Sequence, residues 1–280
     1  MILGIFGLGL MGGSLSLNLK HKRFFSSCIG SAKTQKSSQE ALELGLVDKI
    51  VSKEELIKTS DCIILAMPVV AIKDLLPSLV DIKKTATIID LGSTKNNIAL
   101  NIPSKIRKNF VLAHPMCGTE YSGPKAAFRD LYRDSICVLC DTEKTCKNSL
   151  DLAEKMFLTM DMDIIKMNSA PHDRHASFIS HLPHLISFAL ANSVLKQEDK
   201  KNILALAAGG FRDMSRLAKS SPNMWNDIFL ENKQEILKSI DVFEDELKRA
   251  KNMILQGKDQ DLKAWMKKTN KLHQIFKDKS

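Results

Sequence analysis

Long hydrophobic runs are missing from this 280-residue sequence. No apolar stretch approaches the roughly 20 residues that a membrane-spanning helix needs, so we expect no membrane partner. The first residues, MILGIFGLGLMGGS, carry no basic segment and reach a glycine-rich motif too soon for a secretory signal peptide. These absences predict a cytoplasmic protein.

Cysteine is absent from the chain after residue 146. The six cysteines lie at positions 28, 62, 117, 137, 140 and 146, which is not the pattern of a disulfide framework. Cys137 and Cys140 have the spacing of a metal-binding pair, but they lie in an apolar run that is typical of a strand. No second pair of ligands follows nearby to complete a site. We therefore expect reduced thiols and no bound metal.

Aromatic residues make up only 6% of the sequence, whereas the formal net charge is +9. A surface that binds nucleic acid would combine clustered basic residues with exposed aromatic ones. Here the lysines are spread along the chain and alternate with acidic and apolar residues at helical spacing, which indicates solvated helix faces. We expect no nucleic-acid partner, and the positive field would instead help to attract an anionic small molecule.

Hydrophobic patterning divides the chain into two parts. Up to residue 167, short apolar runs alternate with amphipathic stretches, and the runs are ILGIFG (2–7), SCIGS (27–31), CIILAM (62–67), ATIIDL (86–91), FVLAH (110–114), ICVLC (136–140) and DIIKM (163–167). This alternation predicts a Rossmann-like, doubly wound α/β sheet of parallel βαβ units in a dinucleotide-binding domain over residues 1–167.

The remaining residues, 168–280, show only the 3.6-residue period of helices. The pattern predicts helices over 172–195, 200–217, 224–256 and 258–276. So small a domain cannot hide the apolar face of every helix, so we expect an all-α domain that forms a homodimer and contributes to the substrate site.

Three glycines follow the first apolar run with the spacing G-x-G-x-x-G, at Gly7, Gly9 and Gly12. Glycine at these positions allows a tight turn, close approach of the backbone to a pyrophosphate, and close packing of helix on strand. The run before them and the helical pattern after them predict a dinucleotide site rather than a glycine-rich turn without a ligand. The other residues predicted to contact the dinucleotide are Leu8, Leu10, Met11, Met67 and Pro68.

An acidic residue is missing where the second strand ends. In NAD-binding domains that residue holds the hydroxyls of the adenosine ribose. Ser31 occupies the position here, and Lys33 follows two residues later. Serine with nearby lysine can accommodate a 2′-phosphate, so the sequence leaves both NAD and NADP open as the coenzyme, and a solvated loop lysine remains an equal interpretation of Lys33.

A histidine ends the apolar run FVLAH. His114 and the following Pro115 therefore lie where a buried strand ends, at the edge of the sheet where α/β folds place their chemistry. An imidazole is a natural proton acceptor near neutral pH, which makes His114 a candidate catalytic base. The alternative is a histidine that merely closes the strand.

Motifs along nearly the whole chain resemble those of the prephenate dehydrogenase family. They are GLGLMGGS (7–14), DLGSTK (90–95), HPMCGTEYSG (114–123), HD (172–173), SHLPH (180–184) and GGFRDMSRLAKSSPNMW (209–225). The resemblance implies oxidative decarboxylation of prephenate to 4-hydroxyphenylpyruvate, in tyrosine biosynthesis, with transfer of a hydride to NAD or NADP.

The resemblance also implies roles for two residues in the catalysis. His114 would accept a hydrogen bond from the ring hydroxyl of the substrate and remove its proton. Ser93 would bridge this histidine, the hydroxyl and the nicotinamide. An N-cap of the following helix is a second interpretation of Ser93, and both can hold at once.

Further residues match positions that bind the substrate in the family. Arg216 would bind a substrate carboxylate, with Arg212 ranked second. His184 would contact the substrate, with His172 in support. The remaining candidates are Thr119 and Glu120 in the loop after His114, and Asp213 at the expected dimer contact.

Three alternatives remain open. An arogenate dehydrogenase uses the same scaffold on a substrate with an amino group in place of the keto oxygen, and no residue settles that distinction. A β-hydroxyacid dehydrogenase would not explain His114 together with SHLPH and Arg216. A non-catalytic nucleotide-binding protein is the third alternative.

Overall fold

The computed structural model describes residues 1–277, without the side chains of residues 200 and 273–277. The chain forms two compact units, Met1–Lys233 and a second that begins at Gln234. The larger unit contains a sheet and the helices around it, followed by a set of helices. The smaller unit is helical.

The strands of the described residues form one eight-stranded sheet in the order β3-β2-β1-β4-β5-β6-β7-β8. The pairs are parallel except β6 with β7, which is antiparallel. The strands are β1 (Ile2–Phe6), β2 (Ser27–Ser31), β3 (Lys49–Ile50), β4 (Cys62–Leu65), β5 (Thr87–Asp90), β6 (Phe110–Pro115), β7 (Ile136–Cys140) and β8 (Asp163–Met167).

Each of the seven apolar runs forms a strand, and two features of the sheet differ from the prediction. The two-residue strand β3 is too short to produce a run of apolar residues. The antiparallel strand β7 departs from the all-parallel expectation because the chain between β6 and β7 holds only a short 3₁₀ helix, Pro124–Ala126. A parallel connection needs a longer crossover, usually through an α-helix.

Helices cover both faces of this sheet, which explains why its strands are apolar on both sides. They are α1 (Leu10–His21), α2 (Gln35–Glu43), α3 (Lys53–Thr59), α4 (Val69–Leu75), α5 (Asn96–Asn101) and α6 (Lys147–Thr159). Three further 3₁₀ segments lie between them, at Leu76–Asp81, Ser104–Asn109 and Thr142–Lys144.

From residue 169 the described chain is helical, as predicted, but its helices are more broken than the periodicity indicated. They are α7 (Ser169–Ala176), a π-helical turn (Ser177–His181), α8 (Leu182–Leu195), α9 (Lys200–Ala205), α10 (Gly209–Ser215), a 3₁₀ turn (Arg216–Lys219), α11 (Pro222–Glu231), α12 (Lys233–Leu255) and α13 (Asp259–Lys277). Apolar periodicity continues across such breaks because it reports the buried face and not the hydrogen bonding.

The physical causes of two breaks are visible. The π turn comes immediately before the first turn of α8, where Pro183 cannot donate a backbone hydrogen bond. The predicted helix over 224–256 is interrupted at Asn232, whose side chain donates to the carbonyl of Asp173 at 2.8 Å. A tertiary contact thus fixes the boundary between α11 and α12.

One continuous helical stretch, Ser169–Leu195, is long and apolar enough to cross a membrane by length and composition alone. Little of this stretch is buried within one chain. The sequence predicts no stretch of this kind when only unbroken apolar runs are considered. In this stretch histidine and serine are interspersed among the apolar residues. Helices at protein interfaces pass the same test, so the property alone does not assign a membrane.

Candidate active site

The predicted cofactor and catalytic residues of the sheet meet at one edge. The glycine loop follows β1, Met67 and Pro68 follow β4, Ser93 follows β5, and His114 lies near the end of β6. These four strands are neighbours and parallel, so their carboxyl ends share an edge. The chain order reverses on either side of β1, and open α/β sheets bind ligands in the crevice at such a reversal.

The glycine loop leaves room for a ligand at one glycine and none at the other two. A Cβ atom on Gly12 would lie 2.0 Å from the carbonyl oxygen of Gly7, and one on Gly7 would lie 2.2 Å from that of Ala66. A Cβ on Gly9 would meet no described atom closer than 3.9 Å. Gly9 therefore faces open space at the N-terminus of α1, where unpaired amides can bind a pyrophosphate.

The other predicted cofactor residues divide into buried and accessible ones. The side chain of Leu8 is buried in the core against Gly30, so only its backbone can face a dinucleotide. Leu10, Met11 and Met67 are half-buried, and Pro68 is exposed. Ser31 is half-buried at the end of β2, where its carbonyl accepts the N–H of Gly7 at 3.2 Å, and Lys33 is exposed. Ser31 therefore lies beside the glycine loop, and Lys33 follows it by two residues.

His114 is the first member of a chain of hydrogen bonds. Its Nδ1 lies 2.8 Å from Nε2 of His172, and Nδ1 of His172 lies 2.8 Å from Oδ1 of Asp173. His114 is 8% exposed, and the other two side chains are also buried. The predicted supporting residue His172 thus contacts the predicted base directly.

Asp173 fixes the direction of the protons along this chain. Its two oxygens accept the backbone N–H groups of Lys95 and Asn96, each at 2.8 Å, so the carboxylate acts as an acceptor and Nδ1 of His172 must donate to it. Neutral His172 then offers the lone pair of Nε2 to the Nδ1–H of His114. Neutral His114 consequently has its lone pair on Nε2, which has no hydrogen-bond partner among the described residues.

The surroundings keep His114 uncharged at neutral pH. Burial lowers the pKa of His114 well below its usual value of 6.5, and the neighbouring His172, Lys95 and His181 lower it further. Burial likewise lowers the pKa of His181 to about 4, while Asp173 opposes that change. An imidazole that is neutral at pH 7 can accept a proton, which a general base requires.

Ser93 is half-buried in the loop before α5 and makes no hydrogen bond to any described residue. The alternative interpretation of Ser93 as an N-cap is wrong in this structure. Lys95 is the N-cap residue of α5, and the carboxylate of Asp173 accepts the amides that a capping side chain would bind. The hydroxyl of Ser93 is therefore free for another partner.

The sequence did not predict the residues at the end of α11 that contact the site and the sheet domain. Asn232 donates to the carbonyl of Asp173 at 2.8 Å and lies 3.1 Å from Nδ1 of His181. Glu231 forms an ion pair with Lys73 at 2.7 Å and accepts a hydrogen bond from Asn97. The motif HD includes Asp173, but nothing in the sequence indicates that Asn232, the residue after α11, would contact it.

His184 and Arg216 lie close together in the helical part. Nδ1 of His184 donates to the carbonyl of Ser180 at 2.9 Å, which leaves Nε2 as the acceptor of the neutral ring. The ring stacks on Trp225 with centroids 3.7 Å apart. Burial lowers the pKa of His184, and the positive charge of Arg216 lowers it further.

The remaining predicted substrate residues lie on the surface of the chain. Arg212, Asp213, Arg216 and Thr119 are exposed, and Glu120 is half-buried. Among the described residues none of these five side chains forms an ion pair, so the charges of Arg212 and Arg216 are available to an anion. In the part of the chain that the structure describes, no hydrogen bond or ion pair links these side chains to His114.

This combination of fold and site defines a class of protein. A glycine loop with an open position at a helix N-terminus, next to a buried neutral imidazole at the edge of a parallel sheet, is the arrangement of a nicotinamide-dependent oxidoreductase.

Comparison with known proteins narrows the class. The family model described as "Prephenate dehydrogenase, nucleotide-binding domain" matches residues 15–166, and "Prephenate dehydrogenase, dimerization domain" matches residues 168–268. A prephenate dehydrogenase of Bacillus subtilis (strain 168) is 32% identical over 269 residues, which cover 93% of this chain and 72% of the relative.

Two solved structures have the same fold over their full length. Prephenate dehydrogenase from Aquifex aeolicus, in complex with hydroxyphenyl propionate and NAD+, has a TM-score of 0.92 at 30% identity, covering 99% of this chain and 98% of the other. Arogenate dehydrogenase from Synechocystis has a TM-score of 0.81 at 29% identity, covering 99% and 100%. The chain belongs to the prephenate dehydrogenase family.

Proposed function

We propose that this chain oxidises and decarboxylates prephenate to 4-hydroxyphenylpyruvate, with transfer of a hydride to NAD+ or NADP+. The observation that carries the proposal is Nε2 of His114, which has no hydrogen-bond partner among the described residues. Its lone pair is fixed by the hydrogen bonds of Nδ1 to His172 and of His172 to Asp173. A base with one defined acceptor atom suits a substrate with one hydroxyl proton to remove.

The first task of the protein is to take that proton. Nε2 of His114 accepts the proton of the ring hydroxyl as the C–O bond becomes a carbonyl. A nicotinamide coenzyme held at the glycine loop would supply the acceptor for the hydride that leaves the same carbon. The imidazolium is then stabilised through His172 by the carboxylate of Asp173. Breaking the bond to the ring carboxylate releases carbon dioxide and aromatises the ring, and His114 returns its proton to the phenolate oxygen.

The helical part would hold the acid groups of the substrate. Arg216 is exposed, without a described ion-pair partner, and close enough to His184 to lower its pKa. A guanidinium can bind a carboxylate through two parallel hydrogen bonds. We assign Arg216 to a substrate carboxylate, with His184 as a substrate contact. Arg212, Asp213, Thr119 and Glu120 are proposed to line the remainder of the site.

Arogenate is the second candidate substrate. The arogenate dehydrogenase from Synechocystis matches this chain along its full length at nearly the same identity as the prephenate dehydrogenase from Aquifex aeolicus. The two substrates differ only in the side chain, away from the hydroxyl that His114 would deprotonate. The catalytic proposal therefore holds for both.

The residues at the end of β2 support acceptance of either coenzyme. With Ser31 in place of a carboxylate, nothing at this position repels the 2′-phosphate of NADP+, and Lys33 lies nearby on the surface. We propose that both coenzymes are accepted. The variant Ser31→Asp should lower kcat/KM for NADP+ far more than for NAD+, because its carboxylate repels the phosphate and can bind the ribose hydroxyls. An unchanged ratio of the two values would contradict this assignment.

We also propose a homodimer that forms through the helical part, in the cytoplasm. The stretch Ser169–Leu195 is apolar yet little buried within one chain. Large apolar side chains of this part lie on its surface, among them Ile179 at 69% and Leu206 at 84% exposure. Apolar surface of this extent indicates association with a partner.

An absorbance assay at the band of the reduced nicotinamide tests the function directly. The purified chain is mixed with prephenate or arogenate and with NAD+ or NADP+, in four combinations. We expect turnover with prephenate, and 4-hydroxyphenylpyruvate as the product. Turnover with arogenate alone would replace the first candidate by the second, and no turnover in all four combinations would refute the enzyme proposal.

A further inference from the structure

Lys95 is fully buried, which is rare for a lysine. Its ammonium group donates hydrogen bonds to Oδ1 of Asp90 and, at 2.7 Å, to the carbonyl oxygen of Ala113. Asp90 ends β5, and Ala113 directly precedes His114 in β6. One ammonium group therefore joins the ends of the two neighbouring strands at the edge where the site lies.

The backbone of Lys95 is held as well. Its N–H donates to Oδ1 of Asp173 at 2.8 Å, the same oxygen that lies 2.8 Å from Nδ1 of His172. Ser93 lies two residues before Lys95 in the same loop. The loop with Ser93, the strand with His114 and the carboxylate that orients His172 are thus all connected through this one residue.

Stability alone does not explain the pair of Lys95 and Asp90. Removing two charges from water costs several kcal/mol each, and apolar residues of similar volume often stabilise a core as well or better. One carboxylate oxygen, Oδ2 of Asp90, is also buried and finds no hydrogen-bond partner in the described part of the chain. A buried ion pair at this position, beside the proposed base, points to a role in the reaction.

We propose that Lys95 is a positioning residue, which acts through its buried ammonium group to fix the loop of Ser93 and the strand end of His114 in one arrangement. The inference rests on the proposed function of His114 as the base. The geometry carries it, because a substrate hydroxyl can contact both side chains only if the separation of loop and strand is constant.

The ammonium group has a second effect, on the charge of the base. Its positive charge is one of the causes that lower the pKa of His114. The titratable groups around His114 come from four elements of the fold. The β5–α5 segment supplies Asp90 and Lys95, and α7 supplies His172 and Asp173. The π turn supplies His181, and β7 supplies Cys137. Removing the Lys95 charge should raise the pKa of His114.

The test uses a double variant, Lys95→Met with Asp90→Asn. The single change at Lys95 would leave a buried carboxylate without a counter-charge, and such a variant could fail to fold. The matched control is Lys83→Met. The ammonium group of Lys83 also binds one carboxylate oxygen, of Asp61 at 2.8 Å, and one backbone carbonyl, of Thr59, but at the opposite ends of the strands.

Three measurements follow on the full-length chain. Circular dichroism and coenzyme titration establish that the double variant folds and binds coenzyme within about twofold of the parent. NMR of histidine-labelled protein without coenzyme then gives the pKa of His114, which should rise, because the charge of Lys95 is one of the causes that lower it. Finally, kcat should fall at least about tenfold, because the reacting groups are no longer aligned.

The outcomes separate this inference from the proposed function. If kcat of the double variant stays within about twofold of the parent, the positioning role is overturned. An unmoved titration of His114 would overturn the second effect, that of the ammonium charge on the base. The control variant Lys83→Met should change neither kcat nor the pKa of His114. Effects as large as those of the double variant would also overturn the positioning role of Lys95. Failure of the parent chain to turn over any substrate would refute the proposed function, whereas the NMR titration does not depend on turnover.

Discussion

At the scale of single residues, the chemistry depends on which nitrogen of His114 is free. The bond from Nδ1 to His172 leaves Nε2 as the acceptor, and burial keeps the ring neutral at pH 7. Because the pKa of His114 is below 6.5, its basic form persists into mildly acidic solution. The acidic limb of kcat/KM should therefore lie below pH 6.5 if His114 is the group that it reports.

Replacing His114 with asparagine should reduce kcat by about a hundredfold or more, because the hydroxyl proton loses its acceptor. The affinity for the coenzyme should change little, since the glycine loop follows β1 and His114 lies in β6. Steady-state kinetics and a fluorescence titration with the coenzyme measure the two quantities. A loss of kcat below about threefold would show that another group takes the proton.

The sequence was sufficient to predict His114 as a candidate base and, through the family resemblance, His172 as a supporting residue, but not the other residues that orient them. His114 ends an apolar run beside a proline, which is a local signal. Lys95, Asp173 and Asn232 act through contacts between residues 18 to 78 positions apart, and no local pattern reports such contacts. Their polar side chains look like ordinary loop and helix residues in the sequence.

At the scale of secondary-structure elements, the glycine loop has positions with different requirements. A side chain at Gly12 would overlap the carbonyl of Gly7, whereas one at Gly9 would point into open space. Gly12 therefore serves the packing of α1 on β1, and Gly9 serves the approach of the dinucleotide.

Two alanine variants separate these requirements. Gly9→Ala should fold with nearly unchanged thermal stability but lose coenzyme affinity by at least about tenfold, because the methyl group occupies the place of a phosphate. Gly12→Ala should lower the melting temperature clearly. Differential scanning calorimetry and coenzyme titration measure both effects. A Gly9→Ala variant that binds coenzyme normally would show that the dinucleotide does not lie on this loop.

Elements with their own apolar pattern were predicted well, and those fixed by tertiary contacts were not. The runs at β1, β4, β5 and β6 are buried on both faces and could be recognised from composition alone. The π turn and the break at Asn232 depend on where proline and a distant carbonyl lie. Periodicity continues through both, so it predicted longer helices than the structure contains.

At the scale of the whole molecule, the predicted division at residue 167 stays a prediction. The structure forms its larger compact unit from residues on both sides of that position, up to Lys233. Contacts such as Glu231 with Lys73 and Asp173 with Lys95 connect helices of the second part to the sheet part. The candidate site is therefore built from both parts.

Association of two chains should be visible in solution. Analytical ultracentrifugation at micromolar concentration should give twice the mass of one chain. Ile179→Glu should weaken the dimer by placing a charge on the exposed apolar surface of the helical part. Leu100→Glu is the control, because Leu100 is similarly exposed at 75% but lies in α5, beside the sheet. A monomer in the parent chain, or equal weakening by both variants, would contradict the proposed interface.

The central claim is that a neutral imidazole at the edge of the sheet removes the ring hydroxyl proton beside the bound coenzyme. A crystal structure of the chain with NAD+ and a 4-hydroxyphenyl substrate analogue tests it most directly. The account predicts the ring hydroxyl within hydrogen-bonding distance of Nε2 of His114, with Ser93 adjacent and the analogue's carboxylate on Arg216. An analogue bound with its hydroxyl remote from His114, or a dinucleotide bound away from Gly9, would contradict it.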